Sequence, residues 1–237
     1  MIAVIINATT VIIGSLIGIL FGKLIKVEQK TIIFISAGLI TILVGLQMAW
    51  QGQQIVFMLL ALLLGGLIGH ALKLEDRILA FGHMIKRLLP PSEHHNTFAE
   101  GFLAASVLFC AGSMTILGSL KSGISGDHQI IIIKSVLDGF LAIVLAGSLG
   151  LGVAFSALVI LIYQGALTLG AGLIEPFITP LMLSELSGVG GLMVVMIGLN
   201  MMDIKKIKTA EFLPALPLII LFAALYPYLE GLFKLFG

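Results

Sequence analysis

Residues 1–22, MIAVIINATTVIIGSLIGILFG, form an uncharged and almost wholly apolar run. At helical rise it is long enough to cross a hydrocarbon core of roughly 30 Å. Seven further runs of similar character follow, at 31–50, 55–72, 98–120, 129–149, 152–174, 184–202 and 212–235. Backbone N–H and C=O groups find no water in lipid, and a helix satisfies them within one segment. The pattern predicts an all-α chain, a polytopic helical membrane protein with about eight transmembrane helices. No basic residue precedes the first run and no small-residue cleavage site leads out of it, so it reads as a retained helix rather than a signal peptide.

Composition points the same way. Only 11% of the residues are charged, against about a quarter in a water-soluble domain, so the solvent for most of this surface is lipid. The net charge is +1 and the lysines are scattered, which excludes the basic stripe a nucleic-acid partner needs. The single cysteine, Cys110, permits no disulfide within the chain. His94 and His95 are adjacent and point apart on any regular element, so neither a metal nor another cofactor is expected. The expected partners are the lipid bilayer and an ion or small-molecule substrate, and a homo-oligomer stays open.

The basic residues orient the spans. Lys23, Lys26 and Lys30, then Lys73, Arg77, Lys86 and Arg87, then Lys205, Lys206 and Lys208 make ten of the 13 Lys and Arg residues. All ten fall on one side if every span crosses, leaving Lys121, Lys134 and Lys234 elsewhere. Basic loops stay cytoplasmic, which predicts a multi-pass protein of the bacterial inner membrane with both termini outside. A re-entrant fourth span would break the pattern. Trp50, Tyr226 and Tyr228 then fall near the outer interface, where amphipathic rings settle. Residues 77–89, RILAFGHMIKRLL, are too short and too charged to cross, and read as an amphipathic helix on the cytoplasmic surface.

The chain also repeats itself. Residues 37–48 (AGLITILVGLQM) and 190–201 (GGLMVVMIGLNM) match at Gly38/Gly191, Leu39/Leu192, Gly45/Gly198, Leu46/Leu199 and Met48/Met201, with Gln47 opposite Asn200 and a constant offset of 153. One copy runs outward and the other inward. Spans 1–3 and 6–8 are therefore expected to be inverted repeats, the architecture that lets one central site face each side of a membrane in turn. The single transmembrane domain 1–237 divides into repeat unit 1–72, cytoplasmic loop 73–97, central helix pair 98–151 and repeat unit 152–237.

Asp138 is the sharpest candidate for chemistry. It lies ten residues into the fifth span, about mid-membrane, where ionisable groups are costly and mark ion or solute paths. Lys134 stands four residues earlier on the same helix face. A purely structural ion pair is the competing explanation. Asn7, Ser113, Thr115, Tyr163, Gln164, Asn200 and Gln47 supply uncharged polar groups that could face the carboxylate, although each could equally serve a helix–helix hydrogen bond. The glycine clusters CAGS (110–113) and SGVGG (187–191) are where a helix could break and offer backbone groups to a ligand. Close packing with the helix intact is the simpler explanation for either one. No HExxH, GxSxG, phosphate-binding glycine loop or paired deep carboxylate is present, so no enzyme activity is expected.

The stretches IINATTVIIGSLIG (5–18), FCAGSMTILGSL (109–120), KSVLDGF (134–140), YQG (163–165) and SGVGGLMVVMIGLNM (187–201) together resemble the YdfK/YqgA family of bacterial inner-membrane proteins, domain of unknown function 554. The resemblance runs over essentially the whole chain. It implies an integral membrane protein and transport, with no substrate and no catalytic residues to carry over. A secondary transporter with its site near Asp138 is therefore expected. An ion or solute channel, and a non-transporting scaffold or regulator, are the rival readings.

The orientation is directly testable. In a Cys110→Ser background, a cysteine at Gln53 should react with an impermeant maleimide added to intact cells, and one at Lys206 should not. The reverse labelling would overturn the assignment of sides.

Overall fold

The computed structural model describes residues 1–23, 27–78, 80, 97–110 and 112–236. The apolar runs become α1 (Ile2–Lys23), α2 (Val27–Ala49), α3 (Ile55–Ala71), α4 (Phe98–Cys110), α5 (Ser113–Ile124), α6 (Gln129–Leu149), α7 (Gly152–Leu169), the single turn α8 (Ala171–Ile174), α9 (Pro180–Met201) and α10 (Ala215–Phe236). Local chemistry sets several ends. Thr179 caps α9 by accepting from the Met182 N–H, with Pro180 in the first turn where its missing N–H is harmless. Gly150 ends α6 at φ 75°, a left-handed turn that separates α6 from α7 within two residues.

The expected fourth span is broken. α4 and α5 bend by 59° at the CAGS cluster, whereas α9 runs unbroken through SGVGG. The bent pair nevertheless tracks α7 from end to end. A Cβ on Gly152, at the start of α7, would strike the Phe98 carbonyl and come within 2.7 Å of the Phe102 N–H nitrogen. At the far end, one on Gly123 would strike the Thr168 carbonyl and lie 2.6 Å from Ala171 Cβ.

Two other close pairings build the body of the fold. α1 lies parallel to α6, and a Cβ at Gly14 or Gly18 would run into the carbonyl oxygens of Gly139 and Ile143. α2 lies antiparallel to α9. There a Cβ on Gly45 would sit 2.8 Å from both the Gly191 carbonyl oxygen and the Val195 nitrogen. One on Gly198 would sit 2.9 Å from the Gly38 oxygen and 3.0 Å from the Ile42 nitrogen. Adding 153 to Gly38, Ile42 and Gly45 gives Gly191, Val195 and Gly198, so the two surroundings are the same contact read from opposite helices. α3 runs antiparallel along α10, with the Phe57 ring 6.0 Å from Phe222 and 5.8 Å from Tyr226. Phe109, Leu145, Ile160 and Met193 fill the largest buried cluster between these helices.

Five helical segments are long and apolar enough to cross a membrane: Ile2–Gly22, Gln129–Leu149, Gly152–Leu169, Pro180–Met201 and Thr209–Tyr226. The bent pair makes a sixth, and the apolar helices Ile35–Ala49 and Ile55–Ala71 are shorter. Among the described residues, length and apolar composition alone therefore give five or six candidate spans. Their outer faces suit lipid. α3 exposes Ile55, Leu59, Leu63 and Leu67 at four-residue steps and buries Met58, Ala61, Gly65 and Gly69 on the other side. Residues 74–78 are helical, and most of the expected surface helix 77–89 lies outside the described residues.

Gly18→Ala should destabilise the protein by about 1–3 kcal/mol, seen as a lower thermal midpoint in detergent. Gly172→Ala, where a Cβ meets nothing within 4 Å, should leave the midpoint unchanged. Equal effects at the two positions would show that backbone contact does not hold α1 to α6.

Candidate functional site

Lys134 and Asp138 face inward from α6, both buried, and their side chains pair directly across one helical turn. The Lys134 ammonium also stands 5.8 Å from the centroid of the Phe109 ring, close enough for a favourable contact between cation and ring face. Phe109 is the penultimate residue of α4, so the ion pair sits at the break between α4 and α5. Cys110, the last residue of α4, is an electrostatic neighbour of both Lys134 and Asp138. Thr115 spans the break. Its hydroxyl donates to the Phe109 carbonyl at 2.8 Å, and its N–H donates to the Gly112 carbonyl at 3.0 Å.

α1 and α7 close the site from the other sides. Asn7, fully buried, donates through Nδ2 to Gln164 Oε1 at 3.1 Å and lies close to Asp138. Asn7 Oδ1 and Gln164 Nε2 are buried with no partner of their own. Tyr163, half-buried one residue before Gln164, is an electrostatic neighbour of Cys110. The structure thus brings Asp138, Lys134, Asn7, Thr115, Gln164 and Tyr163 to one region. Ser113 begins α5 beside them, with its side chain outside the described residues. Such a site combines one anion, one cation, a spare acceptor and a spare donor in a setting that excludes water.

Asn200 is elsewhere. Its amide folds the loop after α9, with Nδ2 donating to the Ile207 carbonyl at 2.8 Å and Oδ1 accepting from the Ile207 N–H at 2.7 Å. Gln47 is exposed. The repeat therefore places its two amides apart from Asp138 rather than around it. Asn200 lines a cavity of about 480 Å³ at the basic-loop end, together with Glu75, Glu100, Asp203, Lys206 and Lys208. Its floor reaches Leu103 and Ala104 on α4 and Ile197 on α9, while Lys134 and Asp138 are not among its lining residues. Glu75 accepts from the Ala210 N–H at 3.0 Å. Burial lifts its carboxyl above the usual range, ahead of the opposing effect of that bond.

Sequence reasoning missed Glu185. It lies in the second turn of α9, fully buried, and its Oε1 accepts from the N–H groups of Gln53 at 2.6 Å and Gln54 at 2.9 Å. One carboxylate oxygen thereby ties the start of α9 to the start of α3, while Oε2 has no partner. The available signal was a lone charge inside the apolar run LMLSELSGVGG.

The family described as "Protein of unknown function (DUF554)" matches residues 2–224. The chain is similar to the uncharacterized membrane protein YdfK of Bacillus subtilis (strain 168), at 33% identity over 220 residues, covering 91% of this chain and 93% of that protein. It is similar also to the uncharacterized protein YqgA of Escherichia coli (strain K12), at 34% identity over 214 residues, covering 89% of this chain and 91% of that protein. No solved structure matches.

Glu185→Ala should lower stability by about 1–3 kcal/mol for each N–H left without an acceptor, with Glu185→Gln, which keeps one carbonyl oxygen, close to wild type. Thermal unfolding in detergent measures the difference. An alanine variant as stable as the parent would remove Glu185 from the contacts that hold α3 to α9.

Proposed function

The chain belongs to the DUF554 family and forms a helical membrane protein, and from that premise we propose that it is a secondary transporter of an ion or small solute across the bacterial inner membrane. The observation that carries the reading is the Lys134–Asp138 pair, buried at the break of a discontinuous helix. Charges are rare at such depth unless they serve a path, and broken helices at a midplane site are a recurring device of transporters. A pair wanted only for insertion needs neither a helix break nor unpartnered amides beside it.

Eight crossings fit this reading. α2 and α3 each run antiparallel along one of the candidate spans, and the bent pair accompanies α7 throughout. Antiparallel α2 and α9 are what an inverted relation of 1–72 to 152–237 requires, and their contact repeats at the offset of 153. The basic loops then lie in the cytoplasm, both termini lie outside, and the 480 Å³ cavity opens on the cytoplasmic side.

The test separates a working carboxylate from a structural one. Asp138→Asn is nearly isosteric and removes the charge, while Lys134→Met with Asp138→Leu removes both charges together. Each protein should be expressed and monodisperse, and in proteoliposomes each should lose the uptake of labelled ions and small solutes that the parent supports. Parental uptake by the double variant would reduce the pair to a structural element and defeat the transporter reading at this site.

A further inference from the structure

We infer that the solute recognised at the Lys134–Asp138 site is a small zwitterion, a molecule of amino-acid type carrying one ammonium and one carboxylate; this rests on the transporter reading above. The buried site is neutral as a whole, because the ammonium of Lys134 and the carboxylate of Asp138 close on each other. A single ion entering it can engage only one of the two and leaves the other charge unpaired in a low-dielectric setting, which is strongly unfavourable. A zwitterion instead exchanges one internal pair for two, with its ammonium on Asp138 and its carboxylate on Lys134. Net charge stays zero at every stage.

The neighbouring amides fit the same ligand. Asn7 Oδ1 is a buried acceptor with no partner and Gln164 Nε2 a buried donor with no partner, and Asn7 bonds to Gln164 while also neighbouring Asp138. Unpartnered buried polar groups are uncommon and costly. An ammonium takes the first and a carboxylate takes the second. A cation site would call for acceptors only, and an anion site for donors only.

The cavity at the basic-loop end has the same mixed character. Glu75 and Glu100 share its wall with Lys206 and Lys208, and about 480 Å³ lies in the range of small-ligand pockets. A dipolar solute finds both partners there, whereas a monovalent ion meets charges of its own sign as well as of the opposite one.

The experiment uses the full chain purified into proteoliposomes. One set is offered a labelled mixture of the neutral α-amino acids and β-alanine; parallel sets receive labelled acetate, propionate, methylammonium or sodium ion. The zwitterion mixture should accumulate by counterflow and fall about tenfold or more in Asp138→Asn. In the unmodified protein, unlabelled propionate and alanine methyl ester, each lacking one of alanine's two charges, should not compete with labelled alanine. This second measurement does not depend on any variant folding. Asp138-dependent movement of acetate, propionate, methylammonium or sodium with the zwitterions excluded would overturn the inference and leave the transporter reading in place. No Asp138-dependent movement of any probe would overturn both.

Discussion

Lipid tails offer an apolar helix as good a surface as another apolar helix does, so helices in this protein must be held together by something other than escape from water. The means here is contact between backbones. Where Gly14 and Gly18 face Gly139 and Ile143, and where Gly38 and Gly45 face Gly198 and Gly191, the missing side chain of each glycine lets the two backbones meet. Dispersion attraction is weak per atom pair but large when many atoms meet at van der Waals distance. The glycine rows also fix which helices pair and how far each has slid along its neighbour. The position of α6 follows from α1, and the height of Asp138 within the bundle follows from α6.

That placement puts a carboxylate where it could not stand alone. Lys134 neutralises it at the spacing a helix provides without further design, and a buried pair of this kind is weak evidence for stability, because both ions have been taken out of water. Its surroundings are more informative. Phe109 supplies a ring face to the ammonium, Thr115 secures the carbonyl end of the broken helix, and Asn7 links α1 to α7 through Gln164. The first of these contacts joins α4 directly to the pair, and the other two tie together the helices around it.

Much of this was legible in the sequence. Apolar runs mark helices because the backbone has no alternative in lipid, and Asp138 with Lys134 was conspicuous because charge there is expensive. The helix break was only half legible. CAGS and SGVGG look alike as glycine clusters, yet α4 ends at the first and α9 continues through the second, where Gly188 and Gly191 press against Gly52 and Gly45 and the helix is needed intact. Composition alone does not distinguish a glycine that admits a neighbour from one that releases the chain. Asn200 lies apart from Asp138 for a reason the repeat does not carry: neighbouring sequence decides what an amide does, and the loop 203–208 gives it a backbone to bind. Glu185 was hidden because the groups that donate to it are main-chain N–H groups of a loop 131 residues away or more, which no local pattern can reveal.

The α2–α9 crossing has a property that most helix pairs lack: exchanging the two helices returns the same contact. A half-length polypeptide carrying only one of these helices could therefore dock against a second copy of itself lying upside down in the membrane, with the same glycines meeting the same carbonyls. Such a contact is indifferent to which copy is which, and only the lysines in the connecting loops would distinguish them. Fusing two such halves into one chain makes the opposed orientation permanent and frees each half to change independently. Asp138, on α6, lies outside this crossing and takes no part in the exchange.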